Sequence, residues 1–270
     1  SLGYPGGHAA GTLMAMAAHG DITDEVTDLV KQLYRRSNTL GDVQLLTKKL
    51  KEYAEADKKN PFNIAAAVQW YTENLVKALI THYKDEVSKY KDVKITKLCI
   101  AGGVALNSVM VGKMYDWFPD IEEIYIPPIP YDSGLAIGSA QYVYHHMLDN
   151  PRVAWNGNAS PYLGKTYSKE DVMDAVNTHG LVFEEVIDDD VLELISKDDN
   201  VVSVFGGGSE SGKRALGNRS ILADPRSKTM KAVINEKVKH RQSFRPFAPS
   251  ILREEVSNWF VRDVDSPYMS

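Results

Sequence analysis

A single cysteine, Cys99, in 270 residues excludes an intramolecular disulfide and any zinc cluster built on thiolates. It lies in the apolar run Leu98-Cys99-Ile100-Ala101, so the expected role is a buried structural thiol rather than a nucleophile. No stretch is long and apolar enough to span a bilayer. The opening segment SLGYPGGHAAGTLM has neither the basic n-region nor the apolar h-region of a secretory signal. These absences point to a cytoplasmic protein with no membrane partner. Neither GxGxxG nor GK[ST] occurs, which removes the dinucleotide fingerprint and the P-loop. Internal repeats and low-complexity tracts are also missing. The chain begins in a glycine-rich turn without an initiator Met, and reads as a piece of a longer protein.

What is present is an ordinary soluble composition, 43% hydrophobic and 25% charged, long enough for a substantial core and two domains. Its charge is unevenly distributed. Between Gly206 and Arg262 there are 12 Lys and Arg against 5 Asp and Glu, a net of +7; the whole chain carries −5, so the remainder carries −12. A basic island in an acidic protein reads as a pocket for a small, highly charged anion such as phosphate. The acidic remainder argues against a nucleic-acid-binding surface.

Periodicity places the elements. Residues 21–58 read as helices. Asn60-Pro61 reads as an N-cap with proline at the first helical position. Ile64, Val68, Tyr71, Leu75, Leu79, Tyr83 and Val87 then recur every three or four residues, which predicts a long amphipathic helix. A short strand over 97–101 ends at Gly102-Gly103, and Val104 to Met114 predicts a helix. Ile121 to Ile126 predicts a strand stopped by Pro127, Pro128 and Pro130. Ser133 to Met147 predicts a helix with Leu135, Ile137, Val143 and Met147 available for packing. This strand, turn, helix, strand, helix order is the rhythm of an α/β fold. Residues 1–150 form one expected domain and 168–270 a second. The Asn-, Pro- and Gly-rich stretch 151–167 is the candidate linker. Ser168 with Asp171 signals a capped helix to His179. Another helix is expected near Val191–Ile195. Val201 to Phe205 predicts a strand feeding Gly206-Gly207-Gly208.

Three places could carry chemistry. At Gly102-Gly103 the backbone can approach a ligand closely, and the following helix start favours phosphate or ribose groups; a purely structural turn is the alternative. Asn107 is either a cap or a hydrogen-bonding partner of a nucleotide. Asp132, after a proline-rich strand end and before a helix, is either an N-cap or a hard oxygen ligand to a metal at the carboxyl ends of the strands. In the basic segment, a glycine turn with open N–H groups is lined by Arg214, Asn218 and Ser220, while Lys239, His240, Arg241 and Arg245 come from a second element. A solvated basic face is the bland alternative. Interleaved Leu216, Ile221, Leu222, Phe244 and Phe247, with Pro246 and Pro249, favour a partly buried pocket. His8 and the adjacent pair His145-His146 are poor metal candidates, because neighbouring helical residues point apart.

The strings RALGNRSILADP (214–225) and NEKVKHRQSFRPFAPS (235–250) resemble the O-carbamoyltransferases, which include nodulation-factor, cephem and tobramycin carbamoyltransferases. AGGVALNS (101–108), DSGLAIGSA (132–140) and PYLG (161–164) occur in the expected order, so the resemblance covers nearly the whole chain. It implies the C-terminal half of an ASKHA (actin-like ATPase) domain followed by part of a YrdC-like domain. It further implies that ATP and carbamoyl phosphate form a carbamoyl-adenylate whose carbamoyl group passes to a hydroxyl of a small-molecule acceptor. A divalent metal is implied too: iron for the transfer, with magnesium possible alongside ATP. Carried over by motif, Arg214, Lys239 and Arg245 are implied carbamoyl phosphate ligands. Gly102, Gly103 and Asn107 are implied adenylate positions, with Asn218 and Ser220 beside them, and Asp132 is an implied metal ligand.

The chain departs from the family pattern before RALG. An arginine has become Gly208 and a proline has become Lys213, while Glu210 is retained. The family's His-x-x-x-His metal motif is absent from this chain, so Asp132 by itself is not expected to hold a metal tightly. Competing readings are an ASKHA-type kinase or ATPase, which would yield ADP rather than AMP, and a tRNA threonylcarbamoyl-adenosine pathway protein or a binding module. No motif identifies the acceptor or an oligomeric state.

Overall fold

The computed structural model describes residues 9–35, 38–91, 93–153, 161–197 and 200–269. It is a mixed structure of helices and two small sheets, compatible with the α/β class. Two compact units emerge, and they interleave along the chain. One holds residues 1–98, 107–124 and 244–246; the other holds 99–106, 125–243 and 247–270.

The first unit is built on helices α1 (Ala9–Ala17), α2 (Asp24–Leu33), α3 (Leu40–Ala56) and α4 (Asn60–Lys91). A capping box starts α3: the Asp42 N–H donates to Thr39 Oγ1 at 3.2 Å, and the Asp42 carboxylate accepts from the Thr39 N–H at 2.8 Å. Val26, Val30, Ile64 and Ala67 form a buried cluster, with Leu50, Tyr53, Ala54, Val68 and Tyr71 packed against it. The Asn60 side chain does not cap α4. It donates to the Tyr53 carbonyl at 2.7 Å, tying α4 to the end of α3.

The apolar stripe of α4 is buried only as far as Tyr71. Leu75, Leu79, Tyr83 and Val87 stand exposed, contrary to a stripe that packs throughout, because the cluster formed with α2 and α3 ends there. Lys84 anchors this outer half through both oxygens of Asp120, each at 2.7 Å.

Strand β1 (Lys97–Cys99) pairs with β2 (Glu123–Tyr125). The alternation of β1 puts Cys99 on the same outward side as Lys97. Cys99 is therefore exposed, and the expected burial is corrected by the period of the strand. The helix expected from Val104 is split. A 3-10 turn, Gly103–Leu106, precedes Asn107, which caps α5 (Ser108–Trp117). Met110, Val111 and Met114 bury the inner side of α5.

In the second unit, α6 (Gly134–Tyr142) runs into a π turn, Val143–Met147. Leu135, Val143 and Met147 are exposed, so they do not pack as expected; α6 buries no residue. Helix α7 (Lys169–Thr178) carries the predicted Ser168–Asp171 capping box, and α8 (Asp188–Ser196) follows. Strand β3 (Val201–Phe205) pairs antiparallel with β4 (Arg219–Ala223), an element the sequence reading does not contain. Helix α9 (Met230–Val233) leads into a second π turn, Ile234–Val238, and α10 (Val256–Trp259) lies near the end. Of the candidate linker, residues 154–160 lie outside the described residues; no described helix is long and apolar enough to cross a membrane.

Met114 is fully buried whereas Leu79 is 51% exposed. Met114→Ala should lower the unfolding free energy by about 2–5 kcal/mol, and Leu79→Ala by less than about 0.5 kcal/mol, in denaturant titrations.

Candidate anion-binding site

The register of β3 and β4 pairs Val201 with Ala223 and Phe205 with Arg219, so residues 206–218 are the loop of one hairpin. The Gly206 N–H donates to the Asn218 carbonyl at 3.1 Å and closes its base. Inside the loop, Oε1 of Glu210 accepts from the N–H groups of Leu216 (2.7 Å), Asn218 (3.0 Å) and Arg219 (3.3 Å). Such convergent amides form a nest for an anion, and here the chain's own carboxylate fills it. Burial by itself pushes the Glu210 carboxyl up, but these backbone donors outweigh it and hold the group below the usual glutamate range. Gly217, at φ +112°, supplies the left-handed step the nest needs, and its own N–H donates to Ser220 Oγ at 2.9 Å. The Asn218 amide donates to the Gly208 carbonyl at 2.7 Å. Asn218 and Ser220 thus spend these groups on the loop, where the sequence suggests open donors at the glycine turn.

The PYLG segment lies along this loop. The Gly164 N–H donates to the Ser209 carbonyl at 2.9 Å, the Ser211 N–H to Pro161 at 2.6 Å, and the Tyr162 hydroxyl to Leu216 at 2.8 Å. A Cβ on Gly208 would stand 2.6 Å from the Tyr162 carbonyl oxygen. Close packing therefore demands glycine at position 208. Arg219 braces the hairpin: its guanidinium lies 3.7 Å from the Phe205 ring centroid and donates to the carbonyls of Gly206 (2.6 Å) and Asn218 (2.8 Å). Lys213 sits over the Tyr131 ring at 4.5 Å.

Arg214 behaves differently. Its Nη2 donates to the Leu106 carbonyl at 2.9 Å, while its buried Nε finds no acceptor among the described residues. Burial pulls its pKa down from the ordinary arginine value, and no described carboxylate pairs with it. A half-buried guanidinium with an unused donor has the chemistry to receive an anion. Leu106 ends the 3-10 turn that starts at Gly103. Gly102 before it has φ +100°, and its N–H donates to the Pro130 carbonyl at 2.6 Å. A Cβ on Gly102 or Gly103 would meet nothing within 4 Å, so there is open room at this turn. Arg214, Gly102 and Gly103 are thus brought into one neighbourhood.

Asp132 is exposed, and among the described residues its carbonyl accepts from the Leu135 N–H at 3.0 Å. Neither it nor Ser133 caps α6 through its side chain. Among the described residues, no group of three or more His, Cys, Asp or Glu is placed to hold a metal ion. Lys239 is exposed beyond the second π turn, its N–H donating to Ile234 at 2.8 Å. Arg241 donates to the fully buried Asn235 at 2.7 Å and lies over the Phe247 ring. Arg245 and Asn107 belong to the helical unit. There, Nη2 of Arg245 is 3.5 Å from where a Cβ on Gly11 would stand. Oδ1 of Asn107 accepts from the Met110 N–H at 3.1 Å, so Asn107 caps α5. Its amide also exchanges hydrogen bonds with Gln69, at 2.9 and 3.2 Å. Gln69 in turn donates to the buried Glu73, which holds Lys113 at 2.8 Å. The His145 ring contacts the Asn150 carbonyl at 3.2 Å and the His146 ring lies tilted against Tyr142, while His8 lies outside the described residues.

Sequence reasoning missed the roles of Glu210, Tyr162, Gln69 and Glu73. An acid retained inside a basic glycine-rich segment is the one signal that could have singled out Glu210; the others act through backbone and amide geometry that no motif carries.

Comparison with known proteins supplies the class: the chain belongs to the carbamoyltransferase family. The model for the carbamoyltransferase N-terminus matches residues 2–141, and that for the C-terminus matches residues 193–270. An uncharacterized protein of Synechocystis is 34% identical over 95% of this chain and 45% of its own length. The nodulation protein NolO of Bradyrhizobium diazoefficiens is 32% identical over 92% of the chain and 46% of its own. The 3'-hydroxymethylcephem-O-carbamoyltransferase of Amycolatopsis lactamdurans is 28% identical over 99% and 49%. The chain spans about half the length of these relatives.

The depressed carboxyl of Glu210 sets a pH dependence. Its contribution to the loop is complete above the ordinary value of 4.5 and is lost as pH falls through the lower value it has when folded. Amide exchange at Leu216, Asn218 and Arg219, corrected for intrinsic rates, should accelerate on acidification below that range ahead of the α4 amides.

Proposed function

We propose that this chain is part of a cytoplasmic, ATP-dependent O-carbamoyltransferase that uses carbamoyl phosphate and a small-molecule hydroxyl acceptor. The observation that carries the reading is Arg214: a half-buried cation with an unused donor beside the open Gly102-Gly103 turn, in a chain of the carbamoyltransferase family. The two-part architecture, ASKHA-like followed by YrdC-like, belongs to the same proposal.

In this reading Arg214 receives the phosphate of carbamoyl phosphate, with Lys239 and Arg245 as further cations, and offers a planar fork to the dianion. Water attacks the phosphorus of carbamoyl phosphate, the P–O bond to the carbamoyl oxygen breaks, and inorganic phosphate and carbamate result. Attack of carbamate on the α-phosphorus of ATP gives carbamoyl-adenylate and pyrophosphate. The acceptor hydroxyl then attacks the carbamoyl carbon, its proton is lost, and AMP leaves with the electron pair of the broken C–O bond. Gly102 and Gly103 leave room for the adenylate against backbone, and Asn107 holds the start of α5 in place behind them in sequence. No step is assigned to a metal. Nucleic acid is not a partner in this proposal.

The test uses the intact protein with ATP, carbamoyl phosphate and a panel of hydroxyl acceptors. AMP and phosphate should form only when both substrates are present. ADP as the nucleotide product, or neither product with any acceptor, overturns the reading. Arg214→Ala should weaken carbamoyl phosphate binding by roughly 10- to 100-fold while the thermal transition stays in place. Loss of folding instead would make Arg214 a structural residue.

A further inference from the structure

We infer that Glu210 is a positioning residue: its carboxylate is an internal anion around which the 214–220 segment folds, and it thereby fixes where Arg214 presents its guanidinium. This rests on the carbamoyl phosphate reading of Arg214 and extends it to a residue that touches no ligand. Four observations carry it.

Oε1 of Glu210 gathers the N–H groups of Leu216, Asn218 and Arg219, all within five residues after Arg214. The bends on either side are specified, by Gly217 at φ +112° and by the Gly217 N–H donating to Ser220 Oγ. The outside of the segment is held by the Tyr162 hydroxyl on the Leu216 carbonyl. Arg214 itself has a single described hydrogen bond, to the Leu106 carbonyl, so its placement depends on the backbone that carries it. The nest donors are consumed by Glu210. These three N–H groups are therefore not open to a ligand's anion, and Glu210 acts on it through the placement of Arg214.

The experiment compares wild type, Glu210→Gln and Glu210→Ala in the intact protein. Binding of inorganic phosphate and carbamoyl phosphate is read by calorimetry, amide exchange by mass spectrometry, and Arg214 accessibility by its rate of modification with phenylglyoxal. Gln keeps the length and an acceptor oxygen but loses the charge, so it should weaken binding by about tenfold, and Ala by more. Exchange should rise at 216, 218 and 219 and stay unchanged in α4, and Arg214 should be modified several-fold faster. Unchanged Arg214 modification, unchanged or tighter anion binding, or faster exchange throughout the chain overturns the inference. If the wild type binds neither anion, the carbamoyl phosphate reading fails, and the Arg214 modification rates still decide the role of Glu210.

Discussion

A single carboxylate oxygen, Oε1 of Glu210, accepts three backbone N–H groups, and the interior of the β3–β4 hairpin is arranged around that contact. Hydrogen bonds to a charged group contribute about 1.5–3 kcal/mol each, and an ionised carboxylate removed from water without them is heavily penalised. Both facts push the same way: the loop closes on Glu210 or leaves it hydrated, and intermediate shapes lose on both counts. Gly217, Ser220, Asn218 and Tyr162 then complete a frame whose dimensions the carboxylate sets.

The two charges nearest the centre of this loop have opposite fates. Glu210 has one oxygen held by three N–H groups; Arg214 keeps a buried Nε without an acceptor among the described residues. Other cations of the basic stretch are spent internally: Arg219 on Phe205 and loop carbonyls, Arg241 on Asn235, Arg253 on Asp263, and Arg226 on Asp224, whose carboxyl is pulled down to about 2. A net charge of +7 over 206–262 thus overstates what a ligand meets. The meaningful quantity is the donor capacity left after the chain has satisfied itself, and at Arg214 some is left.

Much of the fold was legible in the sequence. The 3.6-residue period gave α4, the apolar runs gave β1, β2 and β3, and Ser168 with Asp171 gave the start of α7. What escaped has physical causes. Strand β4 begins with a charged residue and earns its pairing through Arg219 lying on Phe205, a cross-strand contact absent from any local pattern. The stripe of α4 continues past the partners that bury it, so periodicity marked a face but not its occupancy. The Glu210 nest is a convergence of backbone amides, and side-chain identity encodes it only through Gly217 and the acid itself. The motifs drew attention to Arg214, Gly102 and Gly103, and Arg214 bonds the carbonyl of Leu106, at the end of the turn that starts at Gly103.

Cys99 stands at the end of β1, outward-facing, three residues before Gly102. As the chain's only thiol, it is a natural single attachment point for a spin label or fluorophore. A reporter there would sit on the strand that leads into the Gly102-Gly103 turn. Events at that turn could then be followed in real time by a probe attached to the backbone it belongs to.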